Sequence, residues 1–112
     1  METTRQKKIS RLLQKDLATI FQQYAPSIFG NILFTVTAVR ISADLSAAKV
    51  YLSIFPVKNH GKMMKEIKEK ASFFRTILAK KVRHQLRIIP ELHFFLDDSA
   101  DYADEINRLL KE

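Results

Sequence analysis

The chain has no cysteine, and only two of its 112 residues are glycine, Gly30 and Gly61. The first absence excludes disulfides and thiolate metal sites and removes one common nucleophile. The second excludes a Walker phosphate loop and a dinucleotide-binding fingerprint, each of which needs clustered glycines. Long hydrophobic runs are missing too: Thr or Arg interrupts every apolar stretch within about ten residues, far short of the ~20 that span a bilayer. The opening Met1-Glu2-Thr3-Thr4-Arg5 is followed by no apolar secretory core. A soluble, cytoplasmic protein with no membrane partner is expected.

Acidic residues are scarce where basic ones gather. The formal net charge is +7, which favours a polyanionic partner. Residues 62–87 hold nine Lys and Arg against Glu66 and Glu69, whereas residues 97–112 hold six acids against Arg108 and Lys111. The stretch AKKVRHQLR, residues 79–87, has five basic positions, His84 included, and no acid. A cationic centre with an acidic tail implies a directional surface; the bland alternative is a solvated helix face.

Apolar periodicity supplies the elements. Ile9, Leu13, Leu17, Ile20 and Tyr24 recur at helical steps over residues 3–24, with Thr3 and Gln6 placed for a capping box and Pro26 and Gly30 as breakers. Residues 31–41 are β-branched and aromatic, but their alternation slips, and a β-bulge near Thr37-Ala38 would restore one apolar face. Turn chemistry at Ser42 to Ser46 leads into a second strand alternating through Ala48, Val50, Leu52 and Ile54. Helical spacing returns from Lys62 and runs to Leu86, long enough that a break is expected near Ala71-Ser72-Phe73. A third strand over residues 88–97 enters through Pro90, and residues 101–111 carry Tyr102, Ile106 and Leu109 at helical spacing. The order α-β-β-α-α-β suits three helices on one face of a three-stranded sheet.

The run TVTAVRISADLSAAKVYLSI, followed by KASFFRTILAKKVRHQLRIIPELHFFLDDS, resembles the ribosome-binding factor A family. The matching features are Asp44-Leu45-Ser46, Ala48-Lys49-Val50, Arg75, and a signature at Arg87, Pro90, Glu91, Leu92, Phe94 and Asp97; the likeness covers roughly residues 5 to 110. It implies an α+β, type II KH-like domain over residues 1–98 with a mixed sheet, a helical break near Ser72, and a short acidic amphipathic C-terminal helix or tail over 99–112. It also implies binding to the immature small ribosomal subunit and its rRNA, and support of late maturation, including processing of the rRNA 5′ end. A monomer is expected, without cofactor, metal or small-molecule substrate. The chain departs from the family at Phe73, where the Ala-x-Gly kink has glycine. Lacking glycine's freedom at positive φ, Phe73 demands either a different interhelical angle or a kink made in ordinary helical space. Its ring could stack on a base or close the core.

If Phe74, Leu78, Val82 and Leu86 face the sheet, Lys80, Arg83 and Arg87 line up opposite them, beside Lys81. Such a ladder can grip the phosphates and 2′-hydroxyls of A-form RNA by shape, with arginine adding bidentate donors. Lys62 and Lys65 share a similar face, Arg11 and Lys15 with Arg5 and Lys8 decorate the first helix, and Ser72 marks a helix N-terminus that could receive an anion. Arg75 flanks the apolar stripe and could instead brace the kink. A rival surface is the open side of the sheet, where Tyr51, Phe55, His93 and Phe95 could stack single-stranded bases, unless the acidic tail covers it. An enzyme is the reading from another class. However, His60, His84 and His93 are too scattered for a catalytic pair or metal site, and Tyr102 and Arg108 occupy positions that an EF-hand loop needs as glycine and glutamate. A non-catalytic RNA-binding protein is expected; the alternative within that class is a KH-like module with another RNA target.

Overall fold

Thr3 starts the first helix as the sequence implies. In the computed structural model, which describes residues 2–55 and 59–97, the Thr3 hydroxyl accepts the Gln6 amide and the Gln6 side chain accepts the Thr3 amide. This reciprocal cap opens α1 (Thr4–Phe29). The helix runs past Pro26 rather than stopping at Tyr24. Proline removes one i→i−4 hydrogen bond, but the buried Ala25 and the partly buried Ile28 and Phe29 continue the apolar stripe and hold the last turn. Gly30, at φ 85, then ends the helix and donates its amide to the Pro26 carbonyl.

Strand β1 (Leu33–Ile41) pairs antiparallel with β2 (Ala47–Phe55), and the register shifts between Val36 and Ala38. The expected bulge is present: Thr37 is the extra residue, and Val36, Val39 and Ile41 all face the core. α1 ties down this strand through polar side chains. Gln14 donates to the carbonyls of Val36 and Thr37, while Gln6 and Ser10, both buried, satisfy the carbonyl and amide of Ile41. At the β1–β2 turn Leu45 adopts φ 63, and Asp44 accepts the hydroxyls of Ser42 and Ser46 and the Ser46 amide.

Two helices connect β2 to β3 (Glu91–Leu96), which lies parallel to β2 and completes a mixed sheet in the order β1-β2-β3. Asn59 caps α2 (His60–Glu69). The break falls at Lys70, one residue before the expected stretch, because Lys70 leaves helical geometry at φ −96, ψ 8 while its amide still bonds back to Glu66 and Ile67. α3 then starts at Ala71 and stops at Val82, not at Leu86. Twelve residues cover about 18 Å of helix, close to the ~20 Å of the six-residue strand β3 that the chain turns back to form. Tight turns at residues 83–85 reverse the chain, with Gln85 and Leu86 amides both on the Val82 carbonyl. The acidic segment expected as a short amphipathic helix or tail, 99–112, lies outside the described residues.

One face of the sheet carries the core. Phe21 of α1, Phe74 of α3 and Phe94 of β3 meet at its centre, with ring centroids 4.5 Å apart for Phe21–Phe74, 5.9 Å for Phe21–Phe94 and 6.1 Å for Phe74–Phe94. Because all three are fully buried, Phe74→Ala should cost about 3–5 kcal/mol, measured as a lowered midpoint in urea unfolding. The Asp44 turn gives a second expectation. Hydrogen bonds from the Ser42 hydroxyl, then the Ser46 hydroxyl and amide, lower its pKa from 3.8 to about 2. A depressed carboxyl pKa stabilises the turn above the ordinary value, and that support fades as pH falls through about 2. The Asp44 carboxyl resonance should titrate near that pH, and Ser42→Ala should move its midpoint upward.

Candidate nucleic-acid interface

The apolar stripe of α3 fixes which of its cations reach solvent. Phe74, Leu78 and Val82 are fully buried against the sheet and α1, leaving Ser72, Arg75, Lys80 and Lys81 exposed. Arg75, Lys80 and Arg83 line one shallow groove of about 360 Å³ with Thr76, Ala79 and Ile89. Among the described residues no carboxylate lines it and none of these cations pairs with an acid. The groove therefore presents an uncompensated positive charge with an apolar floor.

Arg75 is held in place. Its Nε donates to the Pro90 carbonyl at 3.2 Å and its Nη2 to the Ile89 carbonyl at 2.8 Å. The residue thus braces the connector between α3 and β3, not the kink between α2 and α3. A guanidinium has five N–H groups in a rigid fork, so two bonds to carbonyls leave donors free for an anion. Preorganisation of this kind lowers the entropy lost when a phosphate is gripped.

The expected ladder of Lys80, Arg83 and Arg87 is only partly present. Arg83 is the helix C-cap, still in right-handed geometry, and shares the groove with Lys80. Arg87 lies beyond the helix, where the chain has turned, and lines a different groove with Arg5, Ile9, Leu45 and Ile88. Helical spacing ceases to govern the positions after Val82. Arg5, which the α1 pattern marks only as a surface cation, shares that second groove because the start of α1 lies beside the connector that follows α3. Lys81 is exposed but outside the first groove. Lys62 and Lys65 sit exposed on α2, and Arg11 and Lys15 on α1, one helical turn apart in each case. Ser72 lies in the first turn of α3, with its carbonyl accepting the Thr76 hydroxyl.

Phe73 closes a seam. Its ring meets Tyr24 of α1 edge-on at 5.8 Å and Phe74 at 5.4 Å while staying partly exposed. Since the kink at Lys70 needs no positive φ, the missing glycine is accommodated within ordinary helical space. On the open side of the sheet, Tyr51 and Phe95 stack at 5.6 Å, and His93 lies 3.8 Å from Glu91.

Comparison with known proteins adds to this geometry. The family model described as ribosome-binding factor A matches residues 5–110. The ribosome-binding factor A of Cytophaga hutchinsonii is 43% identical over 112 residues, covering all of this chain and 84% of its own length. That of Christiangramia forsetii is 49% identical over 111 residues, covering 98% of this chain and 85% of its own. Among solved structures, the crystal structure of ribosome-binding factor A from Thermus thermophilus superposes with a TM-score of 0.68 at 27% identity, over 81% of this chain and 94% of that one. A Thermus thermophilus ribosome-binding factor A homology model, fitted into a cryo-EM map of its complex with the 30S subunit, gives 0.63 at 29% identity, over 80% and 91%.

The Arg75 contacts generate a test. Arg75→Ala should lower stability by about 1–2 kcal/mol, since hydrogen bonds from charged groups are worth more than neutral ones and these are partly solvated. Amide hydrogen exchange should quicken over residues 88–92. Unchanged exchange there would show that the connector does not depend on Arg75.

Proposed function

Because the chain belongs to the ribosome-binding factor A family, we propose that it binds the immature small ribosomal subunit through its rRNA. It assists late maturation there, including processing of the rRNA 5′ end, and cuts nothing itself. The protein acts as a cytoplasmic monomer. One observation supports the RNA-facing surface above all: Arg75, Lys80 and Arg83 converge on one groove that no carboxylate lines among the described residues. The related protein from Thermus thermophilus, fitted into a map of its 30S complex, supports the choice of partner.

The mechanism is electrostatic docking. The two cations at the end of α3 and the fixed guanidinium of Arg75 meet successive phosphates, and the exposed Lys62, Lys65, Arg11 and Lys15 extend the field along neighbouring helices. Cations spaced to meet phosphates respond to the shape of a folded rRNA segment, and recognition rests on that shape.

Contacts to about five phosphates would make affinity fall very roughly a hundredfold between 0.1 and 0.3 M salt. Lys80→Gln with Arg83→Gln should lower affinity for immature subunits about tenfold or more and flatten the salt dependence by nearly two phosphates' worth. Co-sedimentation at graded salt measures both. Arg87→Gln, in the other groove, should do less. If the double variant sediments with immature subunits as the parent chain does, the α3 groove is not the interface.

A further inference from the structure

The helices cover one side of the sheet and leave the other bare. Strand register puts Leu33 opposite Phe55 on that open side, then Thr35 opposite Ser53, and then Ala38, Tyr51 and Phe95 in the next row. Leu33 is 66% exposed, Phe55 59% and Phe95 40%. Soluble monomers seldom leave a run of large apolar side chains of this kind uncovered. The row after that on the same side holds Arg40, Lys49 and His93.

The chain leaves the sheet beside this patch. Leu96 pairs with Leu52, the Asp97 amide donates to the Leu52 carbonyl, and the Thr37 hydroxyl donates to the Asp97 carboxylate. In the remaining sequence, residues 98–112, Tyr102, Ile106, Leu109 and Leu110 recur at helical spacing. The segment carries a net charge of −3, against +10 for residues 1–97. The family model extends to residue 110, through this stretch. Lengths are also comparable. Along β2, Phe55 and Tyr51 are about 13 Å apart at ~3.3 Å per residue. At ~1.5 Å per residue, a helix would set Tyr102 and Leu109 about 10 Å apart.

We propose that residues 98–112 dock as an amphipathic helix across the open side of the sheet, seating Tyr102, Ile106 and Leu109 on Phe55, Tyr51 and Phe95. The short tether from Asp97 holds the segment near the patch at an effective concentration of order millimolar, so modest contacts suffice. Net opposite charge adds to the attraction. Docked there, the five acids of the segment lie on the layer opposite the Arg75–Lys80–Arg83 groove and do not compete with phosphate for it. The open side is then closed to stacking nucleobases.

The native chain lacks cysteine, so one introduced thiol reports one position. Ser53→Cys places a thiol between Phe55 and Tyr51 on the open side, and Thr35→Cys places one opposite it on β1. In the full chain, a polar thiol reagent should label either position at least tenfold more slowly than in the same variant carrying Ile106→Asp and Leu109→Asp. Circular dichroism and the thermal transition check that both chains are folded. Equal rates at both positions would overturn the proposal. So would protection that grows with protein concentration, which marks a second copy. Equal rates that both fall on adding an oligoribonucleotide would overturn it in favour of RNA.

Discussion

The stacking of Phe74 on Phe21 orients everything that faces outward on α3. With their rings 4.5 Å apart and Phe94 edge-on to both, α3 cannot rotate without breaking the centre of the core. Leu78 and Val82 continue from Phe74 along the same stripe. The cations on the remaining surface are thereby aimed by apolar burial, which is non-directional in itself but becomes directional once side chains interlock. Charge supplies the partner class, and packing supplies the geometry.

Polar contacts then finish what the core begins. Gln6, Ser10 and Gln14 satisfy backbone groups of β1 that would otherwise face an apolar helix. Arg75 fastens the connector into β3 and at the same time presents donors to the groove. One residue thus links the stability of the fold to the shape of the proposed RNA-binding surface, and Arg and Lys are not interchangeable there.

Much of this is legible in the residues. The capping box at Thr3 and Gln6 arises from local chemistry and the bulge at Thr37 from a slip in alternation, while the mixed pairing of the sheet comes from the family resemblance. The family resemblance carries the topology further than periodicity can. The features that local signals miss are set by tertiary contacts. Pro26 marks a stop by local rules, but the burial of Ala25 outweighs one lost hydrogen bond. The end of α3 at Val82 lets the chain turn back to begin β3 at Glu91 beside β2, a tertiary demand that no local signal records. Hence Arg87, in step with Lys80 and Arg83 by count, belongs to another groove with Arg5.

The two layers of the molecule divide its surface between different tasks. The helical layer carries the cationic groove proposed to meet folded RNA, while the opposite side of the sheet exposes Leu33, Phe55 and Phe95. Position-resolved photo-cross-linking to immature small subunits tests that division most directly, with a single reactive group introduced in turn at Thr76, Ala79, Ser53 and Thr35. Cross-links to rRNA are expected from the two α3 positions and not from the two sheet positions. Cross-links from the sheet alone would contradict an interface built on α3.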